Sequence, residues 1–189
     1  AVKDLADVRG FISSSGSPLF AETIATKDSL PIERIRNAGA IFIGKTNTPE
    51  FGLGSQTYNT VFGTTRNAYN PELCAGGSSG GAAVGLAAQL LPVADGSDMM
   101  GSLRNPAAFN NVIGFRPTKG RVPGADEDAK LFFNQLATDG PVGRNVTDTI
   151  QLLTTMAGYD AREPLSLRDT LPNAESFNAT PFNNEMRIG

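Results

Sequence analysis

The sequence predicts an α/β fold, with a mixed, largely buried β-sheet flanked by helices. Three observations lead there. Runs of strand length at 40–43, 93–94 and 112–115 alternate with helical stretches at 29–38, 80–91 and 146–157. Residues 80–91, Gly-Gly-Ala-Ala-Val-Gly-Leu-Ala-Ala-Gln-Leu-Leu, are small or apolar on most faces, which suits a helix packed inside a core. The 189 residues are 40% hydrophobic and 19% charged, the balance of a globular chain rather than a disordered one. A chain of this length buries roughly two thirds of its unfolded surface.

Each element has a local reason. Val2-Lys3 reads as the end of a strand, followed by turns through Gly10 and the Ser13–Ser17 stretch. The helix at 29–38 has Asp28 or Ser29 as cap, Pro31 in its first turn, Ile32 and Ile35 on one face, and Gly39 as its stop. Ala40-Ile41-Phe42-Ile43 is apolar and β-branched, a core strand in prospect. Thr48-Pro49-Glu50-Phe51 starts a short helix, and residues 52–73, rich in Gly, Thr and Asn, form an extended loop. The helix at 80–91 stops at Pro92. Val93-Ala94 is a strand, 102–109 a short helix, and Val112-Ile113-Gly114-Phe115 a further strand. Asn145 caps the helix beginning at 146, and Gly158 ends it. Residues 159–189 read as a polar loop with Pro164, Pro172 and Pro181, leading into a strand that begins at Met186. The chain opens without Met, and both ends read as cut edges of a longer protein.

Composition excludes several function classes. Net charge is −3 with scattered Lys and Arg, so no basic stripe is available for direct contact with nucleic acid. Cys74 is the single cysteine and there is no histidine, which removes disulfides, thiolate cages and the usual transition-metal ligands. No cofactor or metal is expected. No apolar run reaches the length of a membrane span, and the lone thiol leans towards the cytoplasm.

One match is rejected. Gly39-Ala40-Ile41-Phe42-Ile43-Gly44-Lys45-Thr46 fits the phosphate-loop pattern letter for letter. A working phosphate loop follows a strand, curls its middle residues into an amide cradle and opens a helix at the lysine. Here a helix precedes it, the middle residues favour an extended strand, and Asn47-Thr48-Pro49 continues a helix poorly.

The chemistry points elsewhere. A serine nucleophile needs a base, and without imidazole a lysine is the remaining candidate. Gly76-Gly77-Ser78-Ser79-Gly80-Gly81 permits unusual backbone angles and close approach. By itself it is compatible with a flexible linker, an anion nest or a catalytic turn. Ser102 stands at a loop-to-helix junction after Asp98-Met99-Met100-Gly101, where free N–H groups can face an oxyanion. The plainer role for Ser102 is a helix cap. Asp98 and Arg104 are either an ion pair holding this loop or an exposed pair. Lys3 alone would be a surface lysine.

Taken together, the segments 2–4, 44–51, 76–81, 95–106 and 114–118 resemble the amidase signature family of serine hydrolases, in that family's order and spacing across residues 1–145. The helix at 146–158 and the loop at 159–189 follow them. The resemblance implies the N-terminal portion of the amidase signature fold. It implies Ser102 as nucleophile, Ser78 as a bridging serine after a cis Gly77–Ser78 bond, and Lys3 as terminal base. The oxyanion would face the N–H groups of Met99, Met100, Gly101 and Ser102, with Gly77, Ser79, Asp98 and Arg104 in support. For this Lys3 must be substantially uncharged near neutral pH, and Asp4 is expected to point away from it. Met100 stands where the family has glycine and is expected to narrow the acyl pocket. The function implied is hydrolysis of a carboxamide C–N bond through an acyl-serine. The alternatives are a glutamine-hydrolysing component of a tRNA-amidating complex, or a non-catalytic fragment. The partner expected is a small-molecule amide, with no membrane; a homodimer is left open.

Overall fold

The computed structural model describes residues 1–124 and 135–171. Strand β1 (Val2–Lys3) pairs in parallel with β2 (Lys45–Thr46), Val2 opposite Lys45 and Lys3 opposite Thr46. A small antiparallel hairpin, β3 (Tyr58–Asn59) with β4 (Gly63–Thr64), lies within the stretch read as loop. The third sheet is antiparallel with order β5-β7-β6, from β5 (Val93–Asp98), β6 (Ile113–Gly114) and β7 (Thr138–Gly143). Among the described residues four α-helices accompany them: α1 (Leu30–Asn37), α2 (Gly80–Ala87), α3 (Arg104–Phe109) and α4 (Val146–Met156). The mixed α/β class is as expected. The loop beyond 171 and the strand beginning at Met186 lie outside the described residues.

The core has two parts. Val2, Val8, Ile32, Ile35, Val122, Leu152, Leu153 and Met156 join β1, α1 and α4. Ala82, Leu86, Leu91, Ala94, Leu103 and Val142 join α2 to β5 and β7. Successive residues of a strand point to opposite faces, so Val2 enters the first cluster and Lys3 is left aimed at the start of α2. That alternation places an amine at the seam between two apolar masses.

Several boundaries moved. Residues 40–43 form no strand; the strand begins two residues later, at Lys45. Phe42 packs on the first cluster, with the Arg36 guanidinium 4.6 Å from its ring centre, while Ile41 and Ile43 face outward at 87% and 65% exposure. Among the described residues no strand covers that outer edge, so only one face of the run is buried. Lys45 does not open a helix either: its Nζ lies 3.0 Å from Asp4 Oδ1. The short helix at 48–51 is a 3-10 turn over Glu50–Gly52. Asn145 caps α4, its side chain accepting from the Asp148 N–H. Ser29 holds the cap position of α1 but spends its hydroxyl on the Asp7 N–H, and Asp28 binds Arg36 instead.

Candidate active site

Lys3 is 1% exposed, and its Nζ is ringed by three hydroxyls: Ser78 Oγ at 2.7 Å, Ser79 Oγ at 2.9 Å and Ser97 Oγ at 3.0 Å. Burial pulls its pKa down from 10.5 to about 8, against the pull of Asp95, Asp139 and Asp98, which favour the ammonium. Asp4 does point away: its carboxylate takes the Ser14 N–H and hydroxyl, the Gly16 N–H and Lys45. The opposing charge therefore comes from β5 and β7 rather than from the sequence neighbour.

The glycine-rich turn is shaped by what lies against it. The Gly77–Ser78 bond is cis. A β-carbon on Gly77 would stand 2.9 Å from the Gln56 backbone, and one on Gly81 only 2.3 Å from the Asn47 nitrogen. Asn47 and the Ser55–Gln56 backbone thus serve as the wall on which the turn rests. Thr57 ties both ends together, its hydroxyl donating to the Gly76 carbonyl at 2.9 Å and accepting from the Gly80 N–H at 3.0 Å. Asn110 holds the approach through the Ala75 carbonyl at 2.8 Å.

Ser102 reaches this turn through the main chain, its carbonyl accepting from the Ser79 N–H at 3.2 Å. It is not a helix cap: Leu103 occupies the cap position of α3, without a side-chain capping bond. The loop before it is organised by Asp98, whose carboxylate accepts from the Gly101 N–H at 2.7 Å, the Leu103 N–H at 3.1 Å, and Arg104 Nε at 2.9 Å. Arg116 Nε lies 3.4 Å away, an ion pair without hydrogen-bond geometry. Burial alone would raise the Asp98 pKa, but Arg104 and the two main-chain N–H groups outweigh it and hold it at about 2. The ion-pair reading of Asp98 and Arg104 is the one observed.

One expectation about the oxyanion loop changes. The Gly101 N–H is already committed to Asp98, whereas those of Met99, Met100 and Ser102 have no partner among the described residues. The Met100 side chain is 83% exposed among the described residues. Ser97, Thr57 and Asp95 were not singled out from the sequence. Ser97 stands one residue before Asp98, but nothing in sequence spacing tells which strand residues share a face with a residue 94 positions away.

Comparison with known proteins is consistent along the whole chain. The family described as Amidase matches residues 1–189. A glutamyl-tRNA(Gln) amidotransferase subunit from Syntrophobacter fumaroxidans is 39% identical over 189 residues, which is 100% of this chain and 38% of that protein. Its namesake from Salinibacter ruber is 43% identical over 173 residues, 92% of this chain and 33% of that protein. Among solved structures, a bacterial aryl acylamidase of the amidase signature enzymes superposes with TM-score 0.85 at 36% identity, covering 90% of this chain and 36% of its own. A 6-aminohexanoate cyclic dimer hydrolase complexed with substrate gives 0.86 at 33% identity, covering 95% and 38%. The chain thus spans well under half the length of these relatives.

Proposed function

Because the chain belongs to the amidase signature family, we propose that it carries the acyl-transfer centre of an amidohydrolase, with Lys3 as base, Ser78 as relay and Ser102 as nucleophile. Neutral Lys3 takes the Ser78 hydroxyl proton while Ser78 takes that of Ser102, and Ser102 Oγ attacks the amide carbonyl. The oxyanion forms against the N–H groups of Met99, Met100 and Ser102, while the Asp98–Gly101 bond holds their loop in shape. Collapse breaks the C–N bond, and the relay runs backwards to protonate the departing amine. Water then attacks the acyl-serine by the same route and frees the acid.

The observation that carries this reading is the 2.7 Å contact between a wholly buried amine and Ser78, with the amine's pKa lowered to about 8. At pH 7 about a tenth of such an amine is uncharged, against less than about one part in a thousand for an ordinary lysine. A fluorophosphonate probe applied to the complete protein should label Ser102 alone. Ser102→Ala should lose both label and turnover of simple amides while keeping its melting temperature. Labelling elsewhere, or retained turnover, would remove Ser102 from the nucleophile role.

The names of the two relatives favour one second reading. In it the same residues release ammonia from glutamine for amidation of a transfer RNA, with partner chains. Glutamine hydrolysis that appears only when partner chains are added would select it; hydrolysis of simple amides by the protein alone would select the first.

A further inference from the structure

Strands β1 and β5 lie side by side, yet they share no ladder in the sheet pairing. The connection is made by a side chain. Asp95 on β5 accepts the Lys3 main-chain N–H at 2.7 Å, and both residues are buried. Its carboxylate also lines a cavity of about 190 Å³ shared with Lys3, Ser97, Lys119, Thr138 and Asp139. Apolar substitution at residue 95 would cost β1 the side-chain acceptor for its Lys3 N–H and remove one of the carboxylates that favour the Lys3 ammonium.

We propose that Asp95 is a positioning residue that pins β1, and the lysine on it, within reach of Ser78, and that its carboxylate is the amine's main counter-charge across the cavity. The first role follows from the bond: a two-residue strand with one free edge is held there by this acceptor, and Lys3 Nζ must arrive within 3.0 Å of three hydroxyls on two elements. The second follows from the shared cavity: Lys3 and Asp95 both line it, the amine's hydrogen bonds among the described residues go to hydroxyls, and Asp95 leads the three carboxylates that favour the ammonium. The other charged groups around Asp95 are Asp139 from β7, Asp98 further along β5, the Ala1 amino group and Lys119 on the cavity wall. Burial, with Asp139 adding to it, pushes the Asp95 carboxyl up to about 6 against the Lys3 N–H bond, so it is charged over the range in which Lys3 titrates.

This rests on the proposed base role of Lys3 only for its catalytic meaning; the contacts themselves are tested without turnover. In the complete wild-type protein the Lys3 amide proton should shift as pH rises through about 6, following the carboxylate that accepts it. In Asp95→Asn, which keeps an acceptor and loses the charge, the Lys3 side-chain carbon next to Nζ should titrate at least about half a pH unit lower than in wild type. The acid limb of kcat/KM should move with it, and Asp95→Ala should fall about tenfold or more below Asp95→Asn in kcat. A Lys3 amide shift flat from pH 4 to 8 overturns the positioning bond whether or not the variants fold. An unmoved Lys3 titration in folded Asp95→Asn overturns the counter-charge role. If both magnetic-resonance results hold and no amide is turned over, the functional reading fails and this one stands.

Discussion

Lys3 is an ordinary lysine in a place that disfavours its ordinary charge. Its pKa of about 8 puts the uncharged form within reach of neutral pH, and burial is the chief cause. Activity should therefore climb with pH and level off above about 8, and Lys3→Ala should lose about 10²–10⁴-fold in kcat/KM and with it that limb. The same shift has a stability signature. Between pH 8 and 10.5 the unfolded chain binds more protons than the folded one, so stability relative to Lys3→Ala should rise with pH through that window. Chemical denaturation at pH 7, 8, 9 and 10 measures it; a flat difference would mean that the amine is not desolvated. The meeting of Lys3 with Ser78 was legible in the sequence through the resemblance of their segments to the amidase signature family. The three carboxylates that temper Lys3 were not, because they reach it from β5 and β7 across the fold.

At the level of elements, the turn between residues 76 and 81 depends on Thr57, which bonds both its ends. Thr57→Val keeps the shape of the side chain and strands a carbonyl and an N–H in a buried setting. It should cost about 1–3 kcal/mol, and because the lost bonds shape the Ser78 turn, kcat should fall more than stability alone explains. Thermal melts and steady-state kinetics on the same preparation separate the two. Helix α4 is legible because its cap and periodicity are local, as at Asn145, whereas α2 ends at Ala87 instead of residue 91 and α1 takes no side-chain cap from Ser29. Strand β7 is not legible in the sequence: Thr-Asp-Gly-Pro-Val-Gly has neither alternation nor β-branched density, and it is a strand because β5 and β6 pair with it on both sides. The 40–43 run erred in the opposite sense, since apolar content signals burial but not the neighbour that supplies it.

Across the whole described chain, distant segments meet at a few polar joints. Arg34 on α1 donates to the carbonyls of Met156 and Gly158, both at 2.9 Å, and to that of Tyr159 at 3.1 Å, closing the end of α4. Arg34→Ala leaves those carbonyls unpaired and should lower stability by about 1–3 kcal/mol, with amide exchange rising first at the end of α4. Equal exchange in both proteins would show that water replaces the guanidinium without cost. Lysine at this position should recover little, since one ammonium cannot match the fork of a guanidinium.

The three hydroxyls around the Lys3 nitrogen carry one last implication. An ammonium offers three hydrogens, one for each oxygen, whereas the free amine offers two and a lone pair. Rotating a single O–H therefore satisfies either form with every heavy atom left where it is. The pocket need not rebuild itself when the amine titrates, and under the proposed relay the hydroxyl that turns towards the lone pair is already set to give its own proton away.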